Sequence, residues 1–177
     1  MPKVIDGLQS NILQSARKRL FSTPPTFSLR AIAKDCGVAV GTIYNYFPDK
    51  DTLIASVFAD DWNQIIAETE SRIAGAENIE EGVLAIYSGL TRFTQSHRTV
   101  WSTFPSSAGV GSHFQKGHRL LVGQIERLLN MLFEQFDETE DAAMLVLTAE
   151  LLIAASQHSE LSEEEIMRVL RRQIKGE

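Results

Sequence analysis

Residues Gly37 to Lys50 read GVAVGTIYNYFPDK, and this segment decides how the first quarter of the chain folds. It holds two tyrosines, a threonine and an asparagine, and its charged residues come only at its end. Surface helices are usually richer in Lys and Glu, whereas core helices have fewer hydroxyl groups. A short helix that presents hydroxyls, an amide and bare backbone, with few charges, suits the floor of a DNA major groove.

The residues around this segment predict two short helices joined by a tight turn. Ser28 can cap the first helix, which runs through Asp35. Gly37 supplies a turn residue that tolerates positive φ, and the second helix runs to about Phe47, where Pro48 breaks it. If the apolar residues of this helix-turn-helix pattern pack inward, the rest of the second helix faces outward: Val40, Gly41, Thr42, Tyr44 and Asn45, with Tyr46 at the edge.

The remaining segments also read as helices. A helix between Val4 and Phe21 is predicted by apolar residues three or four apart, which are Ile5, Leu8, Ile12, Ala16 and Leu20. Asp49 is placed to cap a long helix from Lys50 to about Ala74. No alternating run of β-branched residues is long enough for a strand. We therefore predict an all-α chain of about nine helices, divided into a three-helix helix-turn-helix domain, residues 1–48, and a larger helical domain, residues 49–177.

Capping boxes mark two of the later helices. Asn78 with Glu81 opens one of them, and Ser162 with Glu165 opens the last. The segment from Thr99 to Ser112, TVWSTFPSSAGVGS, is rich in Ser, Gly and Pro and predicts a loop or a broken helix.

Charge is distributed unevenly along the chain. The 177 residues carry a formal net charge of −6, yet residues 1–50 hold seven basic and three acidic residues, so the remainder is strongly acidic. No apolar run approaches the roughly 18 residues needed to cross a bilayer, and the N-terminus does not resemble a secretory signal. The single cysteine, Cys36, cannot form an internal disulfide, which fits a cytoplasmic protein.

The sequence offers little for catalysis or metal binding. His113 and His118 are five residues apart, which misaligns them on a helix, and His97 and His158 have no Cys or carboxylate at ligand spacing. The Ser106–Ser107 pair lies in no nucleophile elbow, and no Gly-rich phosphate loop is present. We predict no enzyme activity, no catalytic residue, no metal and no cofactor.

The stretch FSLRAIAKDCGVAVGTIYNYFPDKDTL resembles the N-terminal domain of TetR-family transcriptional regulators. That family's motif runs from Ile-Ala through G-V-x-x-G-T-[LI]-Y-x-[HY]-F to a lysine near the start of the fourth helix. The residues of this chain that match it are Ile32-Ala33, Gly37-Val38, Gly41-Thr42-Ile43-Tyr44, Tyr46-Phe47 and Lys50. The close match covers roughly Ile12 to Trp62, and beyond it only the helical pattern and the length agree.

The resemblance implies a double-stranded DNA operator as a partner and two kinds of contact with it. Backbone phosphates would be bound by the hydroxyl groups of Ser28, Thr42 and Tyr46 and by the ammonium group of Lys50. The second helix of the helix-turn-helix is the recognition helix, and its residues would meet base edges or a thymine methyl group: Val40, the backbone at Gly41, and Tyr44. Arg30 would reach a guanine or a phosphate, and Asn45 shares the outward face.

Two residues depart from the family pattern. Ala39 stands where the family often has Ser or a charged residue, and it cannot cap the recognition helix. Val40 often corresponds to a polar or basic residue, and it cannot donate to a base. Direct base readout is therefore expected to depend more on Tyr44, Arg30 and DNA shape.

For the second domain the resemblance implies an effector pocket and a homodimer. The pocket candidates are Trp62, Tyr87, His97, Trp101 and Phe104, and the identity of the small-molecule effector is left open. The last two helices, from about Thr139 to Ser156 and from Ser162 to Lys175, would pair with their copies in a second subunit. The predicted dimer residues are Ala142, Leu145, Val146, Ala149, Leu152, Ile153, Ile166, Val169 and Leu170.

The sequence therefore favours a cytoplasmic, homodimeric, ligand-responsive DNA-binding regulator, with a repressor as the leading interpretation. Two alternatives stay open. A protein of this fold could bind DNA without a small-molecule effector. A helical binding protein or enzyme could also keep the fold and lose DNA binding, and Ala39 and Val40 leave room for that possibility.

Overall fold

The computed structural model describes residues 7–103, 110–157 and 162–175. Over these ranges the chain forms eight α-helices and no strand, which confirms the all-α prediction with eight helices rather than about nine. The helices are α1 (Leu8–Leu20), α2 (Leu29–Asp35), α3 (Val40–Tyr46), α4 (Lys50–Ala74), α5 (Ile79–Thr103), α6 (Val110–Gln135), α7 (Ala142–Gln157) and α8 (Glu163–Lys175). None of the helices searched within these ranges is long and apolar enough to cross a membrane.

The described residues divide into two compact units. Unit 1 contains the residues up to Asn63 together with 99–103, and unit 2 contains Gln64–Arg98 and the residues from 110 onward. Unit 1 extends beyond residue 48, where the sequence suggested a boundary. The reason is that Leu53 and Val57 on α4 are fully buried in the same core as α1, α2 and α3.

The core of unit 1 follows from the helical spacing of α1. Leu8, Ile12, Ala16 and Leu20 are buried along one face of this helix, as their spacing predicted. Ile5, predicted on the same face, lies outside the described residues. The residues of α2, α3, α4 and their ends that complete this core are Ile32, Ala33, Ile43, Phe47, Leu53, Ile54 and Val57.

The segment predicted as a loop or broken helix, Thr99 to Ser112, is helical at both ends. α5 continues to Thr103, and Val100 within it is buried in the unit 1 core. α6 begins at Val110. Residues 104–109 between these helices lie outside the described ranges.

Helix caps in unit 2 agree with the sequence signals. Ser162 Oγ accepts the Glu165 N–H at 3.2 Å, and the Glu165 carboxylate accepts the Ser162 N–H at 2.9 Å, so this capping box is reciprocal. Asn78 Oδ1 accepts the Glu81 N–H at 2.9 Å. The Glu81 carboxylate accepts the N–H of Glu77, one residue before the cap, at 2.9 Å.

The helices of unit 2 approach one another closely at two glycines. A Cβ atom at Gly82 on α5 would lie 2.2 Å from Leu132 Cδ1 on α6, and a Cβ atom at Gly89 would lie 2.8 Å from Thr69 Oγ1 on α4. α6 also packs against α7, where His118 Nε2 lies 3.0 Å from the carboxylate of Glu150. These contacts fix α5 and α7 against their neighbours within the unit.

Candidate nucleic-acid interface

The turn between α2 and α3 is a complete Schellman motif. Gly37 has φ +67°, a left-handed conformation that suits glycine. Its N–H donates to the Lys34 carbonyl at 3.2 Å, and the Val38 N–H donates to the Ala33 carbonyl at 3.0 Å. Both bonds satisfy carbonyls at the end of α2, and the turn then directs the chain into α3. The turn predicted at Gly37 is therefore confirmed.

α3 presents one apolar face inward and a polar face outward. Ile43 has no exposed surface, and Phe47 directly after the helix is buried, whereas 51% of Tyr44 is exposed. The outward residues differ in degree: Gly41, Tyr44 and Asn45 are exposed, and Val40, Thr42 and Tyr46 are half-buried. Tyr44 thus presents its ring and hydroxyl on the outer face of α3. The face is available for contact with another molecule.

The start of α3 leaves its backbone accessible. Ala39 precedes the helix in an extended conformation and makes no side-chain cap, as the sequence predicted. The Thr42 N–H donates to the Ala39 carbonyl at 2.9 Å. No heavy atom lies within 4 Å of the position that a Cβ atom would take at Gly41. The surface at Gly41 is therefore open, and another molecule can approach the backbone there.

Ser28 and Arg30 lie at the start of α2. Ser28 Oγ accepts the Ala31 N–H at 3.2 Å, which confirms Ser28 as the cap of this helix. Its hydroxyl hydrogen remains available to donate. Both Ser28 and Arg30 are exposed. A hydroxyl and a guanidinium are thus presented from one short helix.

The start of α4 brings a lysine next to an aromatic ring. The Asp49 carboxylate caps the helix by accepting the Thr52 N–H at 2.6 Å, and this bond lowers the pKa of Asp49. The next residue, Lys50, has its Nζ 5.4 Å from the centre of the Phe27 ring. Sequence reasoning found Asp49 and Lys50 but missed Phe27. The sequence did offer a signal for Phe27, since an aromatic residue stands directly before the helix cap Ser28. The same pattern is equally typical of a core residue.

The basic run at the end of α1 is mostly engaged within unit 1. Arg17 binds Asp60 and Asp61 on α4, and Arg19 binds Asp35 on α2 at 2.6 Å. Arg17 therefore connects α1 to α4, and Arg19 connects α1 to α2.

A family model matches the part of the chain that contains these features. It is described as "Bacterial regulatory proteins, tetR family" and covers residues 12–57. The matched range begins in α1, contains α2, the turn and α3, and ends in α4. Residues 12–57, about a quarter of the chain, are thus similar to the TetR family.

Two curated relatives are similar to about half of this chain. The HTH-type transcriptional repressor KstR of Rhodococcus jostii (strain RHA1) is 31% identical over 99 residues, which are 51% of this chain and 46% of that protein. The HTH-type transcriptional regulator UidR of Escherichia coli (strain K12) is 30% identical over 82 residues, 45% of this chain and 41% of that protein. The matches thus span less than half the length of these relatives. Both relatives are named as regulators of transcription and not as enzymes.

Solved structures match nearly the whole chain at lower identity. RolR without ligand has a TM-score of 0.64 and 21% identity, with 93% of this chain and 89% of that chain covered. A cysteine mutant of CifR, a TetR-family regulator in complex with a 26-base-pair operator DNA, has a TM-score of 0.57 and 16% identity, covering 99% and 98%. FadR from Bacillus subtilis in complex with stearoyl-CoA has a TM-score of 0.56 and 16% identity, with 94% of this chain and 95% of that chain covered. These likenesses show a shared all-helical TetR fold.

Cys36 is the residue directly after α2. It is half-buried, and burial followed by the neighbouring Asp35 charge raises the pKa of its thiol. A raised thiol pKa lowers the fraction of reactive thiolate. Cys36 therefore fits a small packing residue rather than a reactive thiol.

The predicted pocket residues are distributed over both units. Trp62 is buried in unit 1, and Tyr87 and His97 are buried in unit 2. His97 Nδ1 lies 2.8 Å from the Phe93 carbonyl oxygen, one helical turn away. Trp101 lies in the last turn of α5, and the remaining candidate, Phe104, lies outside the described residues. The effector pocket stays a prediction.

The predicted dimer residues fall into two groups. Five are buried within the single chain, and their part in an interface stays a prediction: Ala149, Leu152, Ile153, Ile166 and Leu170. The other four are exposed or half-buried: Ala142, Leu145, Val146 and Val169. Sequence reasoning missed Leu147, which is 60% exposed. Apolar residues occur around most of α7, so their spacing does not indicate which side is buried. The structure identifies Leu147 as a surface residue.

Proposed function

We propose that this chain is a DNA-binding transcriptional regulator that acts as a repressor and binds a palindromic operator as a homodimer. The observation that carries the proposal is the exposure of 51% of Tyr44 on α3, while Ile43 beside it is fully buried. α3 would lie in the major groove, where a short helix with few charges can approach base edges. The operator DNA bound by CifR, which shares this fold, supports the proposal.

The residues around α3 would make two kinds of contact with DNA, one with phosphates and one with bases. Phosphates would be bound by Ser28, Thr42, Tyr46 and Lys50, whose hydroxyl and ammonium groups surround the helix-turn-helix. Base edges would be met by Tyr44, by Val40 and by the open backbone at Gly41, with Arg30 and Asn45 beside them. Phosphate contacts fix register and give salt dependence, whereas base contacts select sequence.

A second copy of the chain would complete the operator-binding protein. The apolar residues left exposed on α7 and α8 support such a partner: Val146, Leu147 and Val169 are 38%, 60% and 54% exposed. Together with Ala142 and Leu145 they would cover one another across a two-fold axis. Two copies of α3 would then need half-sites about one DNA turn, roughly 34–36 Å, or a multiple of it, apart.

A small-molecule effector would regulate the dimer. The stearoyl-CoA bound by FadR, which shares this fold, supports a small-molecule ligand for this chain. Tyr87 and His97, which are both buried in unit 2, are the pocket residues proposed within that unit. An effector would change DNA binding only through different affinities for two arrangements of the protein.

Operator selection from genomic DNA with the purified protein tests the proposal. The selected duplexes should contain inverted repeats, and gel-shift assays should give binding that weakens with salt. Lys50→Ala and Tyr46→Ala should weaken binding to all duplexes about equally, and Lys50→Ala should lower the salt slope by about 0.9 for each phosphate lost. Tyr44→Ala should instead change which duplexes are preferred.

Arg92→Ala is the matched control for Lys50→Ala. It removes one positive charge from unit 2, where the Arg92 guanidinium binds Glu68, and it should leave operator binding nearly unchanged. Failure of the unmodified protein to bind any duplex at low salt would contradict the proposal. Such a result would favour a helical small-molecule-binding protein that kept the TetR fold.

A further inference from the structure

The contact between Lys50 and Phe27 joins two parts of unit 1 that are distant in sequence. Lys50 is the first residue of α4, and Phe27 lies directly before Ser28, the cap of α2. Lys50 Nζ is 5.4 Å from the centre of the Phe27 ring, within the range in which an ammonium is attracted to the face of an aromatic ring. The ring thus helps to determine where the ammonium lies.

The ring itself is held in place by the core. Phe27 is buried and belongs to the core cluster that includes Ile32 and Phe47. Lys50 is half-buried, and it follows Asp49, whose carboxylate is bound to the Thr52 N–H. A lysine side chain has four rotatable bonds and loses much conformational entropy when it is ordered. A fixed ring beside the ammonium reduces the entropy that remains to be lost on binding.

We infer that Phe27 is a positioning residue that orients the Lys50 ammonium for a DNA backbone phosphate. The inference deepens the proposed function and rests on it. An aromatic face attracts an ammonium without neutralising its charge, unlike a carboxylate. An ammonium beside a ring can therefore still attract a phosphate. Phe27 therefore acts on DNA through Lys50 and not by touching it.

A double-mutant cycle on operator binding tests the positioning role. Phe27→Leu keeps an apolar side chain in the core but removes the ring, and we expect operator affinity of the dimer to fall about fivefold or more, since both copies lose the contact. Phe27→Tyr keeps the ring face and should bind within about twofold of the unmodified protein. In a Lys50→Met background, Phe27→Leu should have no further effect. Equal weakening by Phe27→Leu with and without Lys50 would overturn the inference.

Core disruption by itself predicts a different pattern. Leu8→Ala truncates a buried residue of the same core on α1 without changing the ring or the ammonium. Its effect on operator affinity should be the same in the presence and in the absence of Lys50. The loss of operator affinity caused by Leu8→Ala could instead depend on Lys50 as strongly as the loss caused by Phe27→Leu. That result would overturn the inference, because loosening of the core alone would then explain both losses.

A measurement on the DNA-free protein separates this inference from the proposed function. The ring current of Phe27 should move the NMR signals of the Lys50 ε-methylene protons upfield, and the shift should disappear in Phe27→Leu and persist in Phe27→Tyr. Absence of the shift in the unmodified protein would overturn the inference even if operator binding is found. Presence of the shift without any operator binding would overturn the proposed function, and the positioning role with it.

Discussion

Arg17 on α1 donates a hydrogen bond from Nε to Asp61 Oδ1 on α4 at 2.6 Å. Its Nη2 donates to Asp60 Oδ2, also at 2.6 Å. The Asp61 side chain is only 15% exposed, and that of Arg17 is 30% exposed. One guanidinium thus binds two consecutive carboxylates and joins the helix-turn-helix to the first half of α4.

Arg17→Gln should destabilise the protein by about 1–2 kcal/mol, because the Asp61 carboxylate would stay in a half-buried place without its cation. The free energy of unfolding in urea measures the change. Arg92→Gln is the matched control, since Arg92 and Glu68 are both more than half exposed, and an exposed pair contributes about 0–1 kcal/mol. Equal losses for the two variants would contradict this account of Arg17.

Asp35 should make stability sensitive to acid. It accepts hydrogen bonds from Arg19 Nε and from the Ser15 hydroxyl, each at 2.6 Å, and these bonds, Arg19 first, hold the pKa of Asp35 well below its usual range. Because the folded pKa lies below the unfolded value of about 3.9, the stabilisation is present above about pH 4 and is lost as the pH falls toward the folded value.

Arg19→Gln should therefore flatten the acid side of the stability profile. The free energy of unfolding, measured from pH 7 down to about pH 2, should fall less steeply below pH 4 in the variant than in the unmodified protein. The variant should also be less stable at pH 7. Arg30→Gln removes an exposed charge from the same unit and should keep the original steepness. An unchanged profile in Arg19→Gln would show that Asp35 is not the source of the acid sensitivity.

Two glycines of unit 2 should respond to alanine in opposite directions. Gly82→Ala would place a Cβ atom 2.2 Å from Leu132 Cδ1, whose side chain is fully buried, so overpacking should cost about 1–3 kcal/mol. At Gly123 on α6 no heavy atom lies within 4 Å of the added Cβ, and Gly123→Ala should stabilise the helix by about 0.5–1 kcal/mol. Thermal unfolding of both variants measures whether each change raises or lowers the stability. Stabilisation by Gly82→Ala would mean that α5 and α6 are farther apart than the structure has them.

Local signals in the sequence predicted local features of the structure. The turn at Gly37, the cap at Ser28 and the capping box at Ser162 each depend on residues within four positions of one another, so their geometry could be inferred without knowing the fold. The same holds for the buried face of α1, where the helical period alone identifies the inward residues.

Features that join distant parts of the chain could not be predicted in this way. Arg17 finds its partner Asp61 44 positions later, and nothing near Arg17 in the sequence indicates an ion pair. The contact of Lys50 with Phe27 depends likewise on how α4 begins beside α2. On α7 apolar residues occur around most of the helix. The helical spacing that identified the buried face of α1 therefore could not distinguish the buried Leu152 from the exposed Leu147.

Gly41→Ala should separate stability from DNA binding. Gly41 is exposed on α3, and no heavy atom lies within 4 Å of the position that its Cβ would take, so alanine should stabilise the helix by about 0.5–1 kcal/mol. If α3 lies in the major groove, the added methyl group would instead occupy the space between backbone and base edge, and operator affinity should fall.

Gly37→Ala is the contrasting control for this change. Gly37 has φ +67°, which costs a residue with a Cβ atom about 1–2 kcal/mol, so this variant should lose stability. Its folded fraction should keep the operator affinity of the unmodified protein. Urea unfolding and gel-shift assays on both variants give the two quantities separately. A Gly41→Ala protein that is more stable and binds operator as tightly as before would show that the start of α3 does not approach the bases closely.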